Sequence, residues 1–166
     1  DILPEDKTFF SFKSTINFLI VLTDINGCSM LQRVYEQACK SGAEQVVIAT
    51  DHPEIEALAQ SLGATVCMTA SSHQSGTDRI AEAALMLGFD DDDIIVNVQC
   101  DQPLIEPDLI KSAADILIQG ESIGAATLCT QIKTLEELHD PNIVKVIFNH
   151  RNKAIYFSRS MIPYRR

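Results

Sequence analysis

A chain of 166 residues, 46% hydrophobic and 22% charged with seven glycines and six prolines, has the composition of an ordinary globular domain and is long enough to bury a core. Thirteen basic against twenty-three acidic residues leave a net charge of −10, which repels polyanions and argues against nucleic-acid binding, so any anionic ligand needs a local basic pocket. No apolar run reaches the ~20 residues of a membrane-spanning helix, since Phe18 to Leu22 is followed at once by Thr23 and Asp24, and Asp1 to Lys7 lacks the basic-then-apolar order of a signal peptide; a soluble, cytoplasmic protein is expected.

From about residue 29 helical and strand patterns alternate. Ser29 can cap a helix whose stripe is Met30, Leu31, Val34, Tyr35 and Ala38, with Gly42 placed to end it. Val46 to Ala49 reads as a buried strand. Pro53 suits the first turn of a second helix with Ile55, Leu58, Ala59 and Leu62 inside, closed by Gly63. A brief strand, Thr65 to Cys67, leads into the polar stretch Ser71 to Gly76 and a helix carrying Ile80, Ala83, Ala84 and Leu87. The acid run Asp90 to Asp93 reads as a solvated turn before Ile94 to Val98, whose continuous apolar character fits a central parallel strand. Pro107 opens a helix to about Gln119. Ile123 to Cys129, Ile143 to Phe148 and Ala154 to Phe157 read as strands, the last two joined by a turn at Asn149 to Asn152.

Strands alternating with helices predict βαβ units, hence an α/β, Rossmann-like three-layer fold with a mostly parallel central sheet in a single domain over 1–166. Cys28, Cys39, Cys67, Cys100 and Cys129 form no CxxC pair and no zinc-type grouping, and read as buried free thiols of a reducing compartment.

Ligands of such sheets bind beyond the carboxyl ends of the strands, which directs attention to the residues after Thr50, Val98 and Phe157. Asp101, directly beyond a buried strand, can hold Mg²⁺ as a hard oxygen ligand or can cap the Pro103 turn. The loop from His73 to Thr77, just before a helix, can receive a base, a ribose or a phosphate, or can serve as a helix cap. His73 alone reads more readily as a surface or structural histidine than as a catalytic one. Arg159 and Arg166 can form forks for an acidic substrate or stand as surface charges.

At these residues the chain resembles the CMP-Kdo synthetase (3-deoxy-manno-octulosonate cytidylyltransferase) family. The likeness runs from Asp24 to Arg166 and is carried by the HQSGTDR segment at 73–79, the NVQ of 97–99 with Asp101 and Pro103, the VKV of 144–146 and the YFSR of 156–159. The resemblance implies a nucleotidyltransferase with a nucleotide-binding domain. It would couple CTP to the acidic sugar Kdo with release of pyrophosphate, for lipopolysaccharide biosynthesis, as a homodimer when full length. It implies that Asp51, His73, Gln74, Ser75, Gly76 and Arg79 lie near CTP, that Gln99 lies between nucleotide and sugar, that Asp101 is the catalytic residue holding Mg²⁺, and that Arg159 and Arg166 hold the sugar acid. On that reading Arg79→Ala should weaken CTP binding with little effect on folding.

The chain departs from the family pattern at several positions. Ser11, Ile16 and Ile20 stand where the family's phosphate loop has two arginines and a lysine, Cys28-Ser29 replaces Lys-Pro, and Gln102 replaces a glutamate. Cys100 replaces a glycine, where a side chain would crowd the nucleotide or require a left-handed backbone angle. The chain also lacks the C-terminal third of the family. Two alternatives accompany the reading: a non-catalytic nucleotide-binding relative or inactive fragment, and a cytidylyltransferase for another acidic sugar such as sialic acid.

Overall fold

The computed structural model describes residues 6–11, 18–119 and 123–164. The chain divides into two compact units, Asp1–Ala126 and Thr127–Arg166.

The first unit opens with elements that the sequence pattern did not announce: β1 (Asp6–Ser11), α1 (Phe18–Leu22), and a small hairpin of β2 (Asp24–Ile25) and β3 (Cys28–Ser29). Asn26 (φ 54°) and Gly27 (φ 84°) make the hairpin turn, an Asn-Gly pair suited to two successive left-handed residues. The Asp24 carboxylate braces the turn by accepting from the Gly27 N–H at 2.8 Å.

The expected alternation then follows. In α2 (Met30–Cys39) the Ser29 hydroxyl accepts from the Gln32 N–H at 3.1 Å, the N-cap foreseen from sequence. After it come β4 (Gln45–Thr50), α3 (Pro53–Ser61) with Pro53 in its first turn, β5 (Thr65–Met68), α4 (Gly76–Met86), β6 (Ile94–Gln99) and α5 (Pro107–Gln119). The acid run before β6 is a solvated turn, closed by Asp93, whose carboxylate accepts from the Asp90 N–H at 2.8 Å.

Four strands pair in the order β5-β4-β1-β6, every neighbour parallel. Because strand side chains alternate between faces, Ile48 and Val98 pack with Leu31, Val34, Ile55 and Ile110 of α2, α3 and α5, while Val47, Ala49 and Cys67 pack with Ile80 and Ala83 of α4. Helices therefore cover both faces, and because all four strands run in the same direction their carboxyl ends share one edge. The chain steps from β1 to β4 on one side and to β6 on the other, the kind of reversal outside which open parallel sheets form their crevice.

The second unit contains α6 (Leu135–His139), begun by a capping box between Thr134 and Glu137, and an antiparallel hairpin of β7 (Lys145–Phe148) and β8 (Ala154–Ser158). The hairpin turn falls at Asn149 to Asn152 as expected, with Asn152 at φ 58°. Two boundaries differ from the sequence reading. Ile123 to Cys129 has no regular structure: its apolar run has strand composition, but no neighbouring strand among the described residues supplies a ladder of hydrogen bonds. β7 begins at Lys145 because Ile143 is drawn into a turn, its N–H bonded to the Asp140 carbonyl at 3.2 Å.

Lys145 holds this unit together from inside. It is 2% exposed, and its ammonium donates to the carbonyls of Asp140, Ile143 at 2.9 Å and Arg159 at 3.0 Å, using its three donors. Replacing it by alanine leaves those acceptors without their partner, so Lys145→Ala is expected to cost about 2 kcal/mol. Amide exchange across Lys145–Phe148 and Ala154–Ser158 should accelerate accordingly; unchanged protection would show that the hairpin holds without this lysine.

All five cysteines are free, and Cys67 and Cys100 are buried as expected. Cys39, at the end of α2, and Cys129, in the irregular stretch, are exposed instead, because neither position faces a packed layer. Among the described residues no helix is long and apolar enough to cross a membrane.

Candidate functional site

The strand register aligns the candidate residues of the first unit along the carboxyl edge. Ser11 pairs with Ala49 on one side and Gln99 on the other, and Thr50 lies opposite Met68. Asp51, Thr69 and Asp101 thus follow the ends of β4, β5 and β6 on the same side of the sheet.

Arg79, in the first turns of α4, is 1% exposed. Its Nη2 lies 3.3 Å from Oδ2 of Asp51, whose side chain is 8% exposed. The contact is an ion pair without hydrogen-bond alignment, since Nη2 and Nε have no hydrogen-bond acceptor. Nη1 donates to the Thr69 hydroxyl and to the Ala70 carbonyl at 3.4 Å. Thr69 passes the connection on, its hydroxyl donating to the Thr50 carbonyl at 3.2 Å and its N–H to the same oxygen at 2.9 Å. One buried guanidinium therefore ties the end of β4 to the segment after β5. The burial of this charge beside the Asp51 carboxylate leads to the opposite expectation for folding, that removing Arg79 is costly.

One turn further along α4, Glu82 accepts from the Ala70 N–H at 2.9 Å and is bonded to Nε2 of His73. The His73 contact, the Ala70 N–H and the nearby Arg79 charge hold the Glu82 carboxyl below the usual carboxylate range. A lowered value means that this clamp is in force above the ordinary carboxylate pKa of about 4.3 and is lost only as pH falls through the lowered value. The sequence reading missed Glu82 and gave Thr69 no role. The available signal was an acid three residues after Arg79, which a helix places on the same face.

Ser75 is the N-cap of α4, its hydroxyl accepting from the Asp78 N–H at 3.1 Å and donating to the Asp78 carboxylate at 2.6 Å. Gly76 is the first helical residue, and Gln74 is exposed, its amide donating to the Ser72 carbonyl at 3.2 Å. The loop thus combines a helix N-terminus with a histidine held by Glu82.

At the end of β6, Gln99 and Asp101 are exposed, and among the described residues no hydrogen bond or salt bridge engages the Asp101 carboxylate. Cys100 between them is 7% exposed and turns into the core beside Val98 and Ile110, without a left-handed backbone angle. The left-handed angle expected from this glycine replacement is not required, and the side chain is packed in the apolar layer. Burial, together with the Asp101 charge, pushes the Cys100 thiol up to about 12, so it stays protonated.

Among the described residues no group of three or more His, Cys, Asp or Glu side chains is assembled for a metal. A lone accessible carboxylate still fits Mg²⁺, which keeps most of its waters and takes one or two carboxylates together with substrate phosphates. Of the phosphate-loop positions, Ser11 ends β1, Ile20 is exposed on α1, and Ile16 lies outside the described residues. In the second unit Arg159 is exposed and donates to the Pro141 carbonyl at 2.9 Å, while Arg166 lies outside the described residues. An open apolar groove of about 1150 Å³ between residues 127–133 and β7 is lined by none of the sequence-predicted site residues.

Residues 21–166 match the family described as cytidylyltransferase. The chain belongs to that family. It is 54% identical over 145 residues to a protein of Coxiella burnetii named 3-deoxy-manno-octulosonate cytidylyltransferase, a match covering 87% of this chain and 58% of the relative. A protein of the same name from Francisella tularensis subsp. novicida is 51% identical over 146 residues, covering 88% and 58%. The chain therefore spans 58% of the length of these two cytidylyltransferases. Among solved structures it is similar to CMP:2-keto-3-deoxy-manno-octonic acid synthetase complexed with CTP, with a TM-score of 0.83 and 36% identity over 98% of this chain and 66% of that one. The matches bear out the resemblance read from Asp24 to Arg166.

Proposed function

We propose that this cytidylyltransferase chain transfers CMP from CTP to Kdo, releasing pyrophosphate, as a 3-deoxy-manno-octulosonate cytidylyltransferase of lipopolysaccharide biosynthesis. The reading is carried by one coincidence: the HQSGTDR segment shared with the family follows strand β5 at the carboxyl edge of a parallel sheet whose strand β6 ends at Gln99, two residues before Asp101. It is supported by the names of relatives more than half identical to this chain. In this reading the first unit is the Rossmann-like, three-layer core of a nucleotidyltransferase, and the protein works in the cytoplasm as a homodimer.

The chain's own groups supply position and charge. The helix N-terminus at Ser75 and Gly76, with His73 and Gln74, receives the nucleotide, and the Asp51–Arg79 pair keeps the edge beneath it in place. Gln99 lies between nucleotide and sugar. Arg159 and Arg166 hold the carboxylate of Kdo through guanidinium forks. The anomeric hydroxyl oxygen then forms a bond to the α-phosphorus as the bond to the pyrophosphate oxygen breaks, and the hydroxyl proton is released to water. Asp101 is the residue that would hold Mg²⁺, which when bound neutralises charge on the phosphate oxygens.

Pyrophosphate release from CTP with Mg²⁺, measured with and without Kdo, tests the assignment. Release that depends on Kdo is expected. Release that depends on sialic acid instead would reassign the sugar, and silence from folded protein would leave a nucleotide-binding relative without catalysis.

A further inference from the structure

Glu82 has no part in the activity proposed above, and three observations give it one. It lies on α4 one turn after the buried Arg79, so its backbone is fixed by the helix and by the ion pair with Asp51. Its carboxylate oxygen Oε2 accepts from the backbone at Ala70 and meets the ring of His73, spanning the start and the middle of the loop. The side chains of His73 and Glu82 are 20% and 30% exposed, so the contact sits at the boundary of core and solvent and is shielded in part from water.

We propose that Glu82 is the positioning residue of the site, fixing the ring orientation and proton of His73 so that Nδ1 is the ring nitrogen presented to the nucleotide. A carboxylate only accepts hydrogen bonds, so Nε2 must carry the proton it donates. In the neutral ring the remaining nitrogen, Nδ1, is then an acceptor, and the ligand group it takes is a hydrogen-bond donor: a ribose hydroxyl or the exocyclic amine of the base. The same carboxylate anchors Ala70, whose carbonyl is bonded to Arg79, so the loop is gripped at two points from one helix face. The proposal rests on the reading of this loop as the CTP site, and its test separates the two.

Nitrogen-15 spectra of the histidine rings in ligand-free protein report the tautomer directly. His73 should be protonated at Nε2 in the wild type, and Glu82→Gln, which keeps the shape but can offer an amide N–H to the ring, should lose that preference. A wild-type ring protonated at Nδ1, or spectra identical in the two proteins, would overturn the proposal. CTP titrations then test action through His73 by a double-mutant cycle. His73→Ala and Glu82→Gln should each weaken binding about tenfold, and the double variant should be no weaker than either. Additive losses of about a hundredfold would mean that Glu82 acts elsewhere. Glu82→Asp, charged but shorter, should recover part of the affinity only while His73 is present. Wild-type protein that binds no CTP would sink the reading of the loop as a nucleotide site, and the ring spectra would still decide whether Glu82 orients His73.

Discussion

Arg79→Ala is expected to lower the unfolding free energy by about 3–5 kcal/mol, the range for removing one partner of a buried ion pair. The size follows from what remains. Asp51, 8% exposed, keeps its charge position without the guanidinium, and the Thr69 hydroxyl and Ala70 carbonyl lose a donor. Surface ion pairs contribute far less because water replaces the lost partner, and water does not reach a side chain that is 1% exposed. Arg79→Lys should recover part of the loss, since one ammonium can face Asp51 or Thr69 but cannot reproduce the fork. The chain has no tryptophan, so urea unfolding is best followed by far-ultraviolet circular dichroism. A loss below about 1 kcal/mol would show that the pair is not structural. CTP affinity should be compared only under conditions where the variant remains folded.

Asp101→Asn is expected to lower Mg²⁺-dependent, Kdo-dependent pyrophosphate release by at least about a thousandfold, equivalent to ~4 kcal/mol of barrier. Of the two acids that follow strand ends β4 and β6, Asp51 is occupied by Arg79, whereas Asp101 is exposed and engaged by no salt bridge among the described residues. An amide at this position keeps the shape and removes the charge that a hard cation requires. Because the side chain is exposed, folding should be unaffected, and the same unfolding measurement that registers Arg79→Ala should read wild-type stability here. Turnover retained within tenfold would move the metal to another ligand.

The part of the fold that lies in periodicity was legible in the sequence. The α2 cap at Ser29, the run of alternating elements to α5 and the turn at Asn149 to Asn152 are each set by neighbours in the chain, so local pattern suffices to find them. β1 was not legible. It is read as a strand only in the company of β4 and β6, which hold it from both sides, and no local signal carries that information. The failure at Ile123 to Cys129 is the converse, a strand-like composition with no partner strand among the described residues.

The site shows the same division. Motif resemblance located His73, Arg79, Gln99 and Asp101 along one sheet edge, but not what each side chain touches. The resemblance puts Arg79 near CTP, and the structure adds that its guanidinium is paired with Asp51 and bonded to Thr69 and Ala70. Glu82 could be placed on the Arg79 face of α4 from its spacing, but its contact with His73, nine residues back across a loop, could not be read from the sequence. Cys100 illustrates how a substitution at a glycine position can be absorbed, the side chain turning away from the edge into the apolar layer.

The order of the parallel sheet also has a bearing on synthesis at the ribosome. Asp6 is paired with Ile94 and Ser11 with Gln99, so β1, an inner strand, leaves the exit tunnel about 88 residues before one of its two neighbours. Until then one flank of β1 has unpaired backbone, a template for any passing strand. Long-range pairing of this kind slows folding and extends the time during which a nascent chain can associate wrongly. Yield of the folded protein should therefore depend on chaperone supply and translation speed more than the packing of its finished core would suggest.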